Sequence, residues 1–575
     1  VKVDYKNYDN QQLMCRRQFM INNKLNFIAT IITQTIFSIV SISVSFLMMI
    51  TIDAIEYKDI SRIKLAVVFI VSILVLYGTF GYAQKVLKNR YIKLALSNFK
   101  DYIFRKILSK SIKEFGTEFT GRIINTFSND LSSIELHYVD GTLQIIQQTL
   151  MFVIALSAML YLNLILAICV ILACVIPITL SLILGRHLVL KERKTSDEGE
   201  SFVDQVKDLL NGFILIKSFK AEKEVLNLFR KKNLSLEEAK RDRRDTNDSV
   251  SLASTFSTIL VVTMIFTVGS YFAYKNIMSI GAIIAFIELS QYATGPVEKI
   301  FPLLTNKKAS LTLIEKISNV ISEKEEKDEK ISISSVGSSI IMKDVSFSYN
   351  TEKTILKGID LKFEKGKSYA IVGSSGCGKS TLIQLLLGYY YDYKGEILID
   401  GKQLKNINLD SLYDVISVIQ QNVFLFDSSI KNNITMFKEF SEDKFNNAVA
   451  MAGLSDLISE KGIDYSSGEG GSNLSGGEKQ RISIARCLIR ETPVIIMDEA
   501  TAALDNKTSY EVENAILNLK GLTKIIVTHK FNEEIMKKYD KIIVLRDGNI
   551  AEMGKFQELM EQKNHFFSLY NVTKI

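Results

Sequence analysis

Two short runs of the sequence hold residue types whose spacing suits phosphate chemistry. The first is Gly373-Ser374-Ser375-Gly376-Cys377-Gly378-Lys379-Ser380, which follows the apolar strand Ser368–Val372 and precedes the helical stretch Thr381–Leu387. Glycines at this spacing let backbone N–H groups converge on phosphate oxygens, and the N-terminus of the following helix adds its dipole. In that setting Lys379 would reach the β- and γ-phosphates of a nucleotide, and the Ser380 hydroxyl would ligate Mg2+. Cys377 is read as a bystander in the loop. The second run is the apolar strand Val494–Met497, ending in Asp498-Glu499. A carboxylate at such a strand end can hold Mg2+ through water, and the next can polarise an attacking water. Asp498 is therefore the expected metal-side acid and Glu499 the expected general base.

Between these runs stands Leu474-Ser475-Gly476-Gly477-Glu478-Lys479-Gln480-Arg481. It resembles the signature motif of the ATP-binding-cassette (ABC) proteins, which separates them from other phosphate-loop ATPases. A serine and glycine N–H groups at a helix start suit the capture of a γ-phosphate. The resemblance implies that this phosphate belongs to a nucleotide held by an opposite subunit, so that two ATPs lie sandwiched in a head-to-tail dimer. It also implies roles for further residues. Tyr349 resembles the aromatic that stacks on adenine. Gln421, with Gln420 as the adjacent alternative, resembles the glutamine that touches Mg2+ and the membrane domain; the Asn-Val-Phe-Leu-Phe that follows favours Gln421. Asp505, closing Ala502-Ala-Leu-Asp, resembles the loop that crosses the dimer interface. His529, after the strand Lys524–Thr528, resembles the histidine that contacts the γ-phosphate. Gly468-Glu469-Gly470-Gly471 resembles the segment that senses the coupling helices of exporters. Glu478 and Lys530 depart from the commoner Gln and Arg, and neither departure removes a group the chemistry needs.

The elements around these motifs fall into two unlike halves. The chain has 575 residues, 47% hydrophobic and 23% charged, with a net charge of +7. Those averages exclude a disordered chain, which is poor in Ile, Leu and Phe. They also hide six apolar stretches before residue 305, at about 25–50, 63–86, 139–162, 163–184, 250–274 and 279–304. Each has roughly the 20 residues that cross a bilayer as a helix. The third and fourth almost touch and predict a tight hairpin. The first is too long for a signal peptide and lacks the small-residue cleavage pattern. Between Lys85 and Asp130 there are ten Lys/Arg against four Asp/Glu. The positive-inside rule then places the N-terminus and both long loops in the cytoplasm, so the charge reflects topology and no nucleic-acid partner is expected. The long loops pattern as helices, and the second to sixth spans are expected to run on into the cytoplasm.

Six spans before one cassette resemble a half-transporter of the exporter type. Phe115–Asp130 and Asn211–Glu222 look like its two intracellular loops. The expected fold is an α-helical membrane domain over 1–320, a charged linker over 321–338, and an α/β phosphate-loop ATPase domain over 339–575. The resemblance implies ATP and Mg2+ as cofactors, a second half-transporter as partner (a homodimer is favoured because every catalytic residue is present, the intact member of a heterodimer being the alternative), and a bacterial cytoplasmic membrane as location. The implied activity is ATP-driven export of a peptide, lipid or other amphipathic cargo by alternating access, a dedicated bacteriocin or signal-peptide exporter being the narrower alternative and an ATP-gated channel or sensor the less favoured one. Candidate cavity groups are Asp140, Gln144, Gln147, Gln148, Glu288 and Gln291, because polar and acidic groups within spans face a pathway or a partner rather than lipid. The five cysteines show no metal-binding spacing.

Overall fold

The computed structural model describes residues 13–110, 112, 115, 120, 123–321, 330–349, 353–501 and 504–573. Gly121, Arg122, most of the expected linker, Ala502 and Ala503 lie outside the described residues. The chain divides into two compact units, Val1–Lys110 with Phe115–Glu323 and Ser111–Glu114 with Lys324–Ile575.

The first unit is built from long helices: α1 (Lys24–Glu56), α2 (Ile60–Leu108), α3 (Gly141–Leu162), α4 (Leu164–Asn211), the short α5 (Phe213–Ser218), α6 (Glu222–Tyr274) and α7 (Ile280–Ile321). At 1.5 Å per residue α2 makes a rod of roughly 74 Å, more than twice the hydrocarbon thickness of a bilayer. Lys24–Glu56, Ile60–Leu108, Ile123–Leu162 and Glu222–Tyr274 are each long and apolar enough to cross a membrane. The other two expected spans, 163–184 and 279–304, fall within α4 and α7 except for their first residues. Large apolar side chains point outward along α2: Val68 and Leu74 are 62% and 67% exposed. A water-soluble helix would bury such a row, whereas a lipid-facing one presents it.

Helix ends follow from local chemistry. Asn163 is the single non-helical residue between α3 and α4, and its side chain accepts the Leu166 N–H at 3.0 Å. Asp59 caps α2 by accepting from Ser61 and Arg62. The stretch before α3 is π-helical over Thr126–Asp130 and Ile134–Asp140. Phe99, Ile103, Leu131, Ile134, Leu143 and Ile314 pack into one buried cluster, and Ile42, Met159, Ile265, Phe286 and Leu289 into another.

The second unit holds two sheets. One is antiparallel, in the order β2-β1-β4-β5, from β1 (Ser339–Phe347), β2 (Leu356–Glu364), β4 (Lys394–Ile399) and β5 (Lys402–Gln403). The other has the order β10-β9-β3-β8-β7-β6, from β3 (Ser368–Gly373), β6 (Ile416–Ile419), β7 (Val494–Asp498), β8 (Thr523–Val527), β9 (Lys541–Arg546) and β10 (Asn549–Gly554). Its β6, β7, β8, β3 and β9 run parallel, and β3 and β8 are buried along their whole length. Continuous apolar runs suit strands covered on both faces. The register sets Ile371 opposite Val527 and Val527 opposite Asp498. The segments after β3, β7 and β8 therefore leave the same edge of the sheet, the carboxyl edge where ligands of such sheets bind.

Candidate functional site

Three segments meet at that edge. After β3, the loop Ser374–Gly378 leads into α8 (Lys379–Leu386). A Cβ at Gly373 would stand 2.3 Å from the Leu545 carbonyl oxygen, so only glycine fits there. Gly376 and Gly378 have φ of +78° and +108°, in the left-handed region that glycine enters without penalty. Lys379 is buried, and its Nζ donates to the carbonyls of Gly373 and Ser374 at 3.0 and 3.1 Å. Cys377 is buried too, and burial pushes its thiol pKa upward, away from reactivity.

The second segment follows β7. Burial raises the Asp498 pKa, and the Glu499 charge adds to this; the Ser380 hydroxyl, Lys379 and His529 act in the opposite direction. Asp498 Oδ1 is buried with no hydrogen-bond partner among the described residues. Glu499 has both carboxylate oxygens engaged. Gln421 Nε2 donates to Oε2 at 2.8 Å, and His529 Nε2 lies 2.8 Å from Oε1. Of the two adjacent glutamines, Gln421 reaches the Glu499 carboxylate, whereas Gln420 donates to the Tyr389 hydroxyl. The Glu499 backbone has φ +51°. Its N–H donates to Val527 O at 3.1 Å, and Gln480 Nε2 donates to its carbonyl at 3.4 Å.

Tyr349 lies against the start of α8. Its hydroxyl is 3.0 Å from Thr381 Oγ1 and donates to Gln384 Oε1 at 2.8 Å, and its ring meets Tyr390 edge-on. About half of the side chain stays exposed.

The signature run starts a helix. Helix α9 (Ile430–Thr435) precedes it, and α10 (Gly476–Leu488) has Ser475 as its N-cap. Ser475 Oγ accepts the Glu478 N–H at 3.3 Å, and Glu478 Oε2 accepts the Ser475 N–H at 2.6 Å. This reciprocal box explains why glutamate serves at position 478. Burial works to raise the Glu478 pKa, but the Ser475 donors and Lys461, 3.3 Å away, win and hold it below the usual value. Lys479 Nζ donates to Gly470 O at 3.1 Å, tying the Gly468–Gly471 segment to α10. Asp505 accepts from the Lys507 and Thr508 N–H groups and caps α11 (Asn506–Asn518).

Several contacts were not read from the sequence. Arg486 on α10 donates to the carbonyls of Phe424 and Asn433. Lys530 Nζ donates to Leu504 O at 2.8 Å. These partners lie far apart in the chain, and no local pattern marks them; the box at Ser475, with its S-x-x-E spacing, could have been read.

The membrane polar groups divide by partner. Asp140 pairs with Lys88 at 2.6 Å and accepts from Gln144 Nε2 at 2.9 Å. Gln84 Nε2 donates to Gln147 Oε1 at 3.1 Å. Asp53, which the sequence did not single out, accepts from Ser279 Oγ and the Gly281 N–H, both at 3.0 Å, and so caps the start of α7. A Cβ on Gly281 would fall 2.4 Å from this carboxylate. Gln148 and Glu288 are half-buried and Gln291 is exposed. Glu288 makes no hydrogen bond or ion pair among the described residues, and it acts electrostatically on Tyr292.

The fold and site define a transporter subunit that carries its membrane region and its ATP-using cassette in one chain. Residues 25–297 match the ABC transporter transmembrane region, and residues 356–502 match the ABC transporter cassette. The chain is 30% identical to the uncharacterized ABC transporter ATP-binding protein YfiC of Bacillus subtilis, over 81% of this chain and 78% of that one. It is 29% identical to an ATP-dependent lipid A-core flippase of Desulfotalea psychrophila, over 90% and 91%. A bacterial Atm1-family ABC exporter with ATP bound has the same fold, with TM-score 0.82 at 21% identity, covering 96% of this chain and 99% of that one. The chain belongs to the ABC transporter family. It is an exporter-type half-transporter and an ATP hydrolase coupled to transport across a membrane.

Proposed function

We propose that two copies of this chain form an exporter that moves an amphipathic cargo, a peptide or a lipid, across the bacterial cytoplasmic membrane by alternating access. The N-terminus and the cassette face the cytoplasm. The observation that carries the reading is the grouping at the sheet edge: Glu499 held between Gln421 and His529, beside a buried Asp498 oxygen with no hydrogen-bond partner among the described residues.

In this reading Glu499 takes the proton of the attacking water, and His529 and Gln421 keep its carboxylate aimed. The loop Gly373–Thr381 holds the phosphates of ATP, with Lys379 turning from its two carbonyls to them. Tyr349 takes the adenine. Ser475, Gly476, Gly477 and Glu478, with Asp505, serve the ATP held by the partner copy. Mg2+ fits beside Ser380, Asp498 and Gln421, because a buried carboxylate oxygen left unpaired next to a hydroxyl is the hard-oxygen donor set this ion takes. When bound, the ion would neutralise phosphate charge. ATP then favours the closed pair of cassettes, since only that form offers both sets of contacts; a shift from 1:99 to 99:1 needs about 5.5 kcal/mol of differential binding.

Similarity to a lipid A-core flippase supports a lipid-like cargo. In the membrane, Asp140 is neutralised by Lys88, so Glu288 is the acid left for a pathway, with Gln148 and Gln291. The test is ATP hydrolysis by the purified chain in lipid vesicles against a panel of peptides, lipids and hydrophobic ions, followed by transport of whatever stimulates it. Stimulation by none of the classes would overturn the export reading.

A further inference from the structure

A third carboxyl, unused by the reading above, is buried on the helix that follows Asp498 and Glu499 in the chain. Glu513 lies on α11 and is 4% exposed. Thr501, itself buried, donates its hydroxyl to Glu513 Oε1 at 2.6 Å. Thr501 is two residues beyond Glu499, on the segment that ends at Asp505. The same segment is fastened twice more. The Leu504 N–H donates to Thr501 O at 3.2 Å, and the Leu504 carbonyl accepts from Lys530, the neighbour of His529, at 2.8 Å. Asp505 then caps the first turn of α11.

Such fastening meets a definite need. Glu499 is a non-glycine residue with φ +51°, a conformation that persists only where the surroundings over-determine it. Its side chain must also stay between Gln421 and His529. A loop free to relax at Thr501 would let the Glu499 backbone turn back toward an ordinary conformation and carry the carboxylate away. The surroundings of Glu513 match a tether. Burial raises its pKa, opposed by the Thr501 hydrogen bond and the Lys530 charge, and Tyr539 stands close enough to feel its charge.

We propose that Glu513 is a positioning residue: through its hydrogen bond from Thr501 it holds the backbone from Glu499 to Thr501 so that the Glu499 carboxylate stays aimed at the attacking water. This rests on the assignment of Glu499 as the base. Only the acceptor oxygen matters in this role, so the amide of glutamine serves as well as the acid.

The test is steady-state ATP hydrolysis by the full chain in lipid vesicles, with nucleotide affinity and melting temperature measured alongside. Glu513→Ala is expected to lower kcat about 10-fold or more at near-constant KM, as small misplacements of a catalytic group do. Glu513→Gln should return kcat to within about 2-fold of the parent, and Thr501→Val should match Glu513→Ala. The Thr501→Val/Glu513→Ala pair should be no worse than either single change, since both remove one interaction. Parental kcat in Glu513→Ala, no rescue by Gln, or additive losses in the pair would overturn the tether. So would a fall in kcat that only tracks loss of folded protein. Should Glu513→Ala fail to fold, Thr501→Val and Glu513→Gln still decide. Glu499→Gln keeps the two failures apart: full turnover in that variant overturns the base assignment, whereas a dead Glu499→Gln beside a fully active Glu513→Ala overturns the tether alone.

Discussion

The helical unit and the cassette treat their acids differently. Asp53 and Asp140 stand among apolar helices, and every contact they make answers their charge: a hydroxyl and a helix N–H for one, Lys88 and Gln144 for the other. Asp498 and Glu499 stand at the end of an apolar strand, and there no lysine or arginine forms an ion pair with either among the described residues. Among the described residues Asp498 Oδ1 has neither a hydrogen bond nor an ion pair, whereas Asp140 Oδ1, also without a hydrogen bond, has the Lys88 ammonium at 2.6 Å; Glu499 is held by an amide and an imidazole rather than by a lysine or arginine. Burying a charge is expensive unless it is paired. A paired acid can therefore be read as part of the scaffold, and an unpaired one as a group reserved for chemistry. Glu288 crosses the divide, being an acid within an expected span without an ion pair among the described residues.

Five measurements would break or sharpen this contrast. The largest effect is expected at the reserved acids. Glu499→Gln should cut ATP turnover about 100-fold or more, the span of a lost general base, while ATP still binds. Lys379→Ala should weaken ATP binding itself by about 10- to 100-fold, the loss of a charged phosphate contact; isothermal titration with a non-hydrolysable analogue measures it. On the scaffold side, Lys88→Met leaves Asp140 with Gln144 alone. That should destabilise the helical unit by about 1–3 kcal/mol in thermal unfolding, and Lys88→Met/Asp140→Leu should recover part of the loss. Glu288→Gln should leave folding unchanged within about 0.5 kcal/mol, since it breaks no pair among the described residues. Its effect should appear in cargo-stimulated turnover, and a clear drop in melting temperature would move Glu288 to the scaffold side.

The smallest effect is expected at Asp400, a paired acid of the cassette. Partial burial works to raise its pKa, but the N–H groups of Gly337, Ser338 and Ser339, at 2.6, 2.7 and 3.0 Å, prevail and hold it low. A lowered folded-state pKa adds stability above the unfolded value and loses it as pH falls through the folded one. The parent should therefore melt slightly above Asp400→Asn at neutral pH, and the gap should close in acid, below about pH 4.

Much of the site was legible before the fold. The phosphate loop, the strand ending in Asp498-Glu499 and the signature run are contiguous, and a contiguous run carries its own local geometry. Tyr349, Gln421 and His529 could be pointed to only through resemblance, because a lone tyrosine, glutamine or histidine has no local pattern. Asp53 and Glu513 went unread: an acid is recognised as a cap or a tether only when its donor is known. Glu288 and Asp140 looked alike in sequence, as acids within or beside apolar runs.

By itself the sequence determined the six apolar runs, the alternation of strands and helices after residue 339, and each helix cap built within one turn. These depend on residues a few positions apart, where chain geometry leaves little choice. Tertiary structure alone decided which acids are answered. Gln421 meets Glu499 across 78 residues, Asp140 meets Lys88 from another helix, and Ser279 meets Asp53 across 226. Whether a buried charge has a partner is a property of packing, which the order of residues along the chain does not display.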